Sequence, residues 1–249
     1  MAGHTVVPCP SSRSPLRRAS VPRSPAVRRC RAARATERGH MPQTTRSMLS
    51  AYGRDAAIYD SRTAAFAQYR RRLVDLLPLE RGDVVLDVGC GTALCFALLH
   101  ERIGPSGMII GVDASRDMLE VAAERVAAHG WDNVVLVESA VEDAELPAVA
   151  DHALFCAVHD VLQSGAALDN VLAHLRGGWV AAGGGKWAPA WAVAVNAGVL
   201  ALHAPFVRDF TGFDRPWSHL ADRVPGLAVQ DVAMGGGYLA AGRVHSGGR

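Results

Sequence analysis

Apolar positions along this chain change their period repeatedly, and each change marks an element. Residues 47–77 place Tyr52, Tyr59, Phe66, Leu73 and Leu77 at near-helical spacing, and Pro78 ends the run, so the stretch predicts a helix. Val84–Val88 is a compact apolar run with one acid, the length of a buried strand. Ala93–Ile103 returns to a helical pattern that Gly104 and Pro105 stop. Met108–Val112 reads as a second strand, followed by a helix over Arg116–His129 with Gly130 as its C-terminal cap. Val134–Glu138 and Ala153–Ala157 supply the third and fourth strands, Asp169–Leu175 sits in a helix, and Trp179–Ala182 makes a fifth strand. Strands alternating with helices through short links predict an α/β fold with a parallel sheet covered on both faces.

The pattern begins only near Ser47. Residues 1–46 mix Arg with Ser, Pro and Ala and show no apolar period. They are expected to be disordered, because they bury too little surface to offset ordering. The chain therefore divides into a tail, residues 1–46, and one domain, residues 47–249. Three readings of the tail stay open. It is an over-extended translation start with Met41 or Met48 as the real beginning, an Arg-rich transit peptide, or a segment that binds RNA or a membrane by charge.

Charge sharpens the same division. Residues 1–40 hold nine Arg against one acid, Glu37, which leaves 17 basic and 23 acidic side chains beyond them. The body is thus mildly acidic, and no broad basic face for nucleic acid is expected. At 249 residues and 49% apolar composition, the chain is long enough for one α/β domain with a substantial core. Its five cysteines (Cys9, Cys30, Cys90, Cys95 and Cys156) match neither a zinc spacing nor a secreted framework. They imply a reducing, cytoplasmic compartment and no metal. Cys90 and Cys95 read as packing residues at a turn rather than a redox pair. Ala188–Leu202 is the most apolar stretch, but it is shorter than the roughly 20 residues a membrane span needs, and Pro189, Asn196 and His203 interrupt or flank it. A soluble protein with no membrane partner is expected.

The informative segment is Val84–Ala93, "VVLDVGCGTA". A strand that delivers glycines to a helix start lets backbone approach a ligand and offers it free N–H groups. A dinucleotide site wants Gly-x-Gly-x-x-Gly, and here Leu94 fills the third position, so a pyrophosphate is disfavoured. A P-loop is excluded because no Gly-Lys-Ser/Thr follows. Asp87, two residues before the first glycine, would repel phosphate but suits a ligand carrying an ammonium and a sulfonium. With Asp87-x-Gly89-x-Gly91-x-Ala93, the sequence resembles the class I S-adenosylmethionine-dependent methyltransferases, whose first motif is Asp-x-Gly-x-Gly-x-Gly. Ala93 replaces the last glycine.

That resemblance covers about residues 47–242. It implies a doubly wound, Rossmann-like sheet of about seven strands in the order 3-2-1-4-5-7-6, mostly parallel. Leu227–Met234 and Tyr238–Ala241 would then form a C-terminal antiparallel hairpin across Gly235–Gly237. It also implies S-adenosyl-L-methionine as cofactor, held at Asp87, Gly89, Cys90 and Gly91. Asp113, 22 residues beyond Gly91, would accept the ribose hydroxyls; as a bare residue it also suits a helix cap before Met118. Ala140, Val141 and Glu142 stand where the family reads adenine, with the usual acid before Ala missing. Tyr59, Ala114, Met118 and Val158 complete the implied cofactor set.

The fourth strand leads to Val158-His159-Asp160, without the Pro-Pro-Tyr/Phe type of motif that the family's base methyltransferases carry. Nucleic acid is therefore not expected as a substrate. His159, Asp160 and His203 are the candidates for a general base, needed where the acceptor is a hydroxyl or a protonated amine. Residues 186–217 concentrate aromatics, and Trp187, Trp191, Phe210 and Trp217 are the candidate walls of an apolar pocket for a small organic acceptor. The leading reading is a small-molecule methyltransferase, monomeric or homodimeric. A regulatory protein that binds S-adenosylmethionine without transfer is the alternative, and an NAD(P) oxidoreductase is disfavoured by Asp87 and Leu94.

Overall fold

Burial on both faces explains why the central strands are so uniformly apolar. In Val84–Val88, Leu86 and Val88 enter one core cluster and Val85 enters the other. Asp87 points to the same face as Val85, as strand alternation requires. A computed structural model describes residues 28–31, 60–61, 63–207 and 209–244. In chain order it contains β1 (Arg28–Arg31), α1 (Ala67–Val74), β2 (Val84–Val88), α2 (Phe96–Ile103), β3 (Met108–Asp113), α3 (Arg116–His129) and β4 (Val134–Glu138). There follow β5 (Ala150–Cys156), α4 (His159–Gln163), α5 (Gly165–Ala173), β6 (Leu175–Gly185), α6 (Val193–His203), α7 (Ser218–Ala221), β7 (Ala228–Val232) and β8 (Gly237–Arg243).

The sheet runs β1-β4-β3-β2-β5-β6-β8-β7. Counted from β2, seven of these strands have the expected order 3-2-1-4-5-7-6. The β6–β8 and β7–β8 pairs are antiparallel, and the other pairs are parallel. One core cluster packs β2, β3 and β5 against α5 and Tyr238, and the other packs the reverse face against α1, α2 and α3. Because β2 to β6 run in one direction, the segments after β2, β3, β4, β5 and β6 gather along a single rim. Open α/β sheets bind ligands on that rim. Among the described residues, no helix is long and apolar enough to cross a membrane.

Four differences from the sequence reading have physical causes. The tail expected to be disordered contributes β1, which pairs in parallel with β4 from Arg28↔Val135 to Arg31↔Glu138. Such pairing uses only backbone groups that an edge strand leaves open, so it has no apolar signature. The helix expected over 47–77 is described only as α1, after a 3-10 turn at Ala64–Phe66; residues 47–59 lie outside the described residues. Helix α2 starts at Phe96 rather than Ala93, because Gly91 and Ala93 take positive φ of 54° and 65°. Strand β6 is far longer than Trp179–Ala182, because its flanking glycines pack closely where side chains do not fit. A Cβ on Gly178 would lie 1.4 Å from the Asp151 carbonyl oxygen, at a register shift between β5 and β6.

Candidate cofactor and acceptor site

The rim begins at Asp87. Its side chain is 2% exposed, and Oδ2 is buried without a hydrogen-bond partner among the described residues. Burial first, and then the nearby Asp113, push its carboxyl up to about 8. The turn that follows is left-handed at alternate residues, with φ of 64° at Gly89, 54° at Gly91 and 65° at Ala93. A Cβ on Gly89 would lie 2.4 Å from Val158 Cγ1, so backbone and the Val158 side chain meet here. A Cβ on Gly91 would meet nothing within 4 Å, so this face of the turn opens onto free space. Cys90 points the other way, buried against Gly111 and Phe96, and its N–H donates to the Val112 carbonyl at 3.0 Å.

Asp113 ends β3 and fastens the turn to the next helix. Its Oδ2 accepts from the Gly91 N–H at 2.9 Å and its Oδ1 from the Ser115 N–H at 2.8 Å. Burial raises its carboxyl to about 6 despite those two bonds, with Asp160 adding to the rise. The cap of α3 is Ser115, whose hydroxyl accepts from Met118 N–H at 3.4 Å; Asp113 is thus free of that role. Ala114 is half-buried beside it, and Met118 is buried in the first turn. After β4, Ala140 leads into a 3-10 turn over Val141–Asp143. Asn170 of α5 holds that turn by donating to the carbonyls of Val141 at 2.7 Å and Ala144 at 3.0 Å. Val141 is buried and Glu142 exposed. Tyr59 lies outside the described residues.

The rim after β5 and β6 encloses a narrow cavity lined by Val158, His159, Gly185, His203, Phe213 and Tyr238 among others. His159 Nε2 bonds the Thr211 carbonyl at 3.0 Å, so the neutral ring carries its proton there. Its Nδ1 is buried without a partner among the described residues. His203 Nδ1 bonds the Val199 carbonyl at 2.8 Å, and its ring abuts Gly185, where a Cβ would come within 2.2 Å of Nε2. Burial holds both histidines below the usual imidazole range. Both rings meet Phe213 edge-on, at 5.0 and 5.4 Å between centroids. Asp160 is exposed on the first turn of α4, close enough to influence both Asp113 and His159.

None of the four aromatics expected at the pocket is among the residues that line this cavity, and two of them instead pack behind its Phe213. Trp187 and Phe210 lie 5.1 Å apart and both pack on Phe213. Trp217 sits behind the cavity, against Tyr238 at 4.8 Å. Trp191 is a correction: in the turn before α6 it is 83% exposed, and it is not among the residues that line the cavity. Phe213, one of the aromatics concentrated in residues 186–217, and Tyr238, which lies outside that stretch, are the residues around which the others assemble. Tyr69 on α1 is a further anchor, its hydroxyl donating to the Tyr238 carbonyl at 2.5 Å. Among the described residues no His, Cys, Asp or Glu group is arranged to hold a metal ion.

Residues 79–180 match the family model of a methyltransferase domain. A demethylmenaquinone methyltransferase of Anoxybacillus flavithermus is 41% identical over 69 residues, 28% of this chain and 29% of that protein. An aklanonic acid methyltransferase of a Streptomyces species is 32% identical over 103 residues, 41% of this chain and 46% of that protein. The chain thus spans less than half the length of either relative. Among solved structures, geranyl diphosphate C-methyltransferase of Streptomyces coelicolor, in complex with S-adenosyl-L-homocysteine, superposes with a TM-score of 0.52 at 17% identity. That likeness covers 72% of this chain and 75% of the other, and it shows the shared fold.

Proposed function

We propose, from the premise that residues 79–180 are a class I S-adenosylmethionine-dependent methyltransferase domain, that the chain moves a methyl group to a small organic acceptor by in-line displacement. One observation carries the reading. The buried Asp87 Oδ2, without a hydrogen-bond partner among the described residues, stands beside a glycine turn whose Gly91 face opens onto free space. A buried carboxylate oxygen of this kind calls for a cationic hydrogen-bond donor, and the cofactor's ammonium is one. Asp113 keeps lone pairs for ribose hydroxyls beyond its two backbone bonds. When bound, S-adenosylmethionine supplies a methyl group on a sulfonium, ready for displacement.

The chain's own residues then have three tasks. Val158, Phe213 and Tyr238 exclude water from the acceptor and hold it close to the methyl group, which supplies most of the acceleration in such a reaction. His159 is the general base: its Nε2 proton is engaged by Thr211, so the bare Nδ1 accepts the proton that an acceptor hydroxyl or ammonium releases. His203, buried against Gly185, shapes the cavity rather than moving a proton. The narrow, mostly apolar lining supports a small acceptor, as do relatives named for aklanonic acid and demethylmenaquinone.

Calorimetric titration with S-adenosyl-L-homocysteine and NADH tests the cofactor, and only the former is expected to bind. Labelled-methyl transfer across a panel of small hydroxyl, amine and carbon acids tests the reaction. Failure to bind S-adenosyl-L-homocysteine overturns the reading; tight binding with no transfer to any acceptor favours a regulatory binder instead.

A further inference from the structure

We propose that Asp60, Thr92 and Arg125 form a closed ring that holds the glycine turn in its cofactor-binding shape, with Arg125 as a positioning residue. The proposal rests on the cofactor reading above. Each member bonds both others. The Thr92 hydroxyl donates to Asp60 Oδ1 at 2.6 Å, Arg125 Nε donates to the Thr92 carbonyl at 2.9 Å, and the Arg125 guanidinium pairs with Asp60 Oδ2. The three come from distant parts of the chain: the segment before α1, the turn itself, and the third turn of α3.

What the ring works against is visible in the backbone. Thr92 lies between two left-handed residues, Gly91 at φ 54° and Ala93 at φ 65°. Glycine takes that conformation freely, but Ala93 has a Cβ that crowds the carbonyl oxygen. On the ligand side the turn is tied by Gly91 N–H to Asp113 and by Ala93 N–H to the Cys90 carbonyl. On the reverse side the Thr92 carbonyl and hydroxyl are both taken by the ring. Thr92 is 1% exposed, so neither group has water to turn to if its partner is lost.

Helix α3 therefore grips the turn from two sides, at its start through Ser115 and Asp113 and along its length through Arg125. The planar guanidinium reaches the Thr92 carbonyl with one nitrogen and the Asp60 carboxylate with another, a fork that the single nitrogen of a lysine does not reproduce. Arg125 bonds Thr92 and Asp60 and acts on the turn through Thr92. Asp60 extends the same coupling to the segment before α1, so cofactor affinity depends on a residue far from the motif in sequence.

Titration of the full chain with S-adenosyl-L-homocysteine tests the ring. Arg125→Met is expected to weaken binding by about 5- to 30-fold, the equivalent of the left-handed penalty that the turn then carries unsupported. Turnover at saturating cofactor stays near wild type, and Arg125→Lys recovers only part of the affinity. Ala93→Gly removes the strain itself, so adding it to Arg125→Met restores most of the lost affinity, an outcome that a general loss of stability does not produce. Thr92→Val, nearly isosteric, carries the same comparison where Arg125→Met does not fold. Unchanged affinity in the single variants, or a loss that Ala93→Gly leaves untouched, overturns the ring. Failure of the wild type to bind S-adenosyl-L-homocysteine would overturn the cofactor reading instead.

Discussion

Cofactor binding should depend on pH through one carboxyl. Asp87 is held up at about 8 by burial and by Asp113, so the free protein is mostly protonated there at neutral pH. An ammonium needs the carboxylate, and binding must therefore release that proton. Affinity then scales with the deprotonated fraction, which for a pKa near 8 grows about 25-fold between pH 6 and pH 7.5. Asp113, at about 6, adds at most a factor of about two over the same range. The ligand's own α-amino group, with an ordinary pKa of about 8, stays protonated through most of this window and ends the rise above it. Stability of the free protein runs the other way. Asp87 is raised above its unfolded value of 3.8, so its contribution is complete below about pH 4 and is lost as pH climbs through about 8. Calorimetry with S-adenosyl-L-homocysteine in buffers of differing ionisation enthalpy measures both affinity and proton release. In Asp87→Asn the rise should shrink to the factor of about two that Asp113 contributes, and most of the affinity should be lost. A wild-type affinity that is flat from pH 6 to 7.5, or the same slope in Asp87→Asn, refutes the reasoning.

Three further outcomes are expected. His159→Ala should lower turnover by roughly 10²- to 10⁴-fold with cofactor affinity intact, and should remove an acidic limb lying below the ordinary imidazole range, as burial dictates; a loss under about threefold in steady-state assays excludes a general base. Gly89→Ala, which drives a Cβ to 2.4 Å from Val158, should lower the melting temperature, whereas Gly91→Ala, with open space ahead of it, should fold and lose affinity by calorimetry. Deleting residues 1–40 removes β1 but should leave affinity within about twofold, since β1 touches the sheet only at the β4 edge; deletion through residue 61 also removes Asp60 and should weaken binding.

The legible parts of this chain are those governed by neighbours in sequence. Strands Val84–Val88 and Val134–Glu138 and helix Arg116–His129 stand where their apolar patterns and the Gly130 cap put them. Asp87 and Asp113 were readable as neighbours because a parallel sheet turns the ends of its strands into one rim. Strand β6 was readable only at its apolar centre, because glycines carry no hydrophobic signal. Trp191 shows the limit of composition: a cluster of aromatics announces a pocket but does not say which way each ring turns. The contacts that complete the site were out of reach because they join remote positions. Tyr69 meets the Tyr238 carbonyl across 169 residues, and Arg125 meets Asp60 across 65.

Lys186, which follows β6 at the lip of the cavity, is the only lysine in the chain; every other fixed positive side chain is arginine. It is 7% exposed, its Nζ donating to the Trp187 carbonyl at 3.1 Å and pairing with Asp231 of β7 at 3.4 Å. An acylating reagent directed at amines therefore finds no exposed lysine on this molecule. The rate at which such a reagent labels Lys186 measures how often its amine parts from Asp231 and the Trp187 carbonyl, which makes this lysine a chemical clock for the breathing of the sheet where β6 ends.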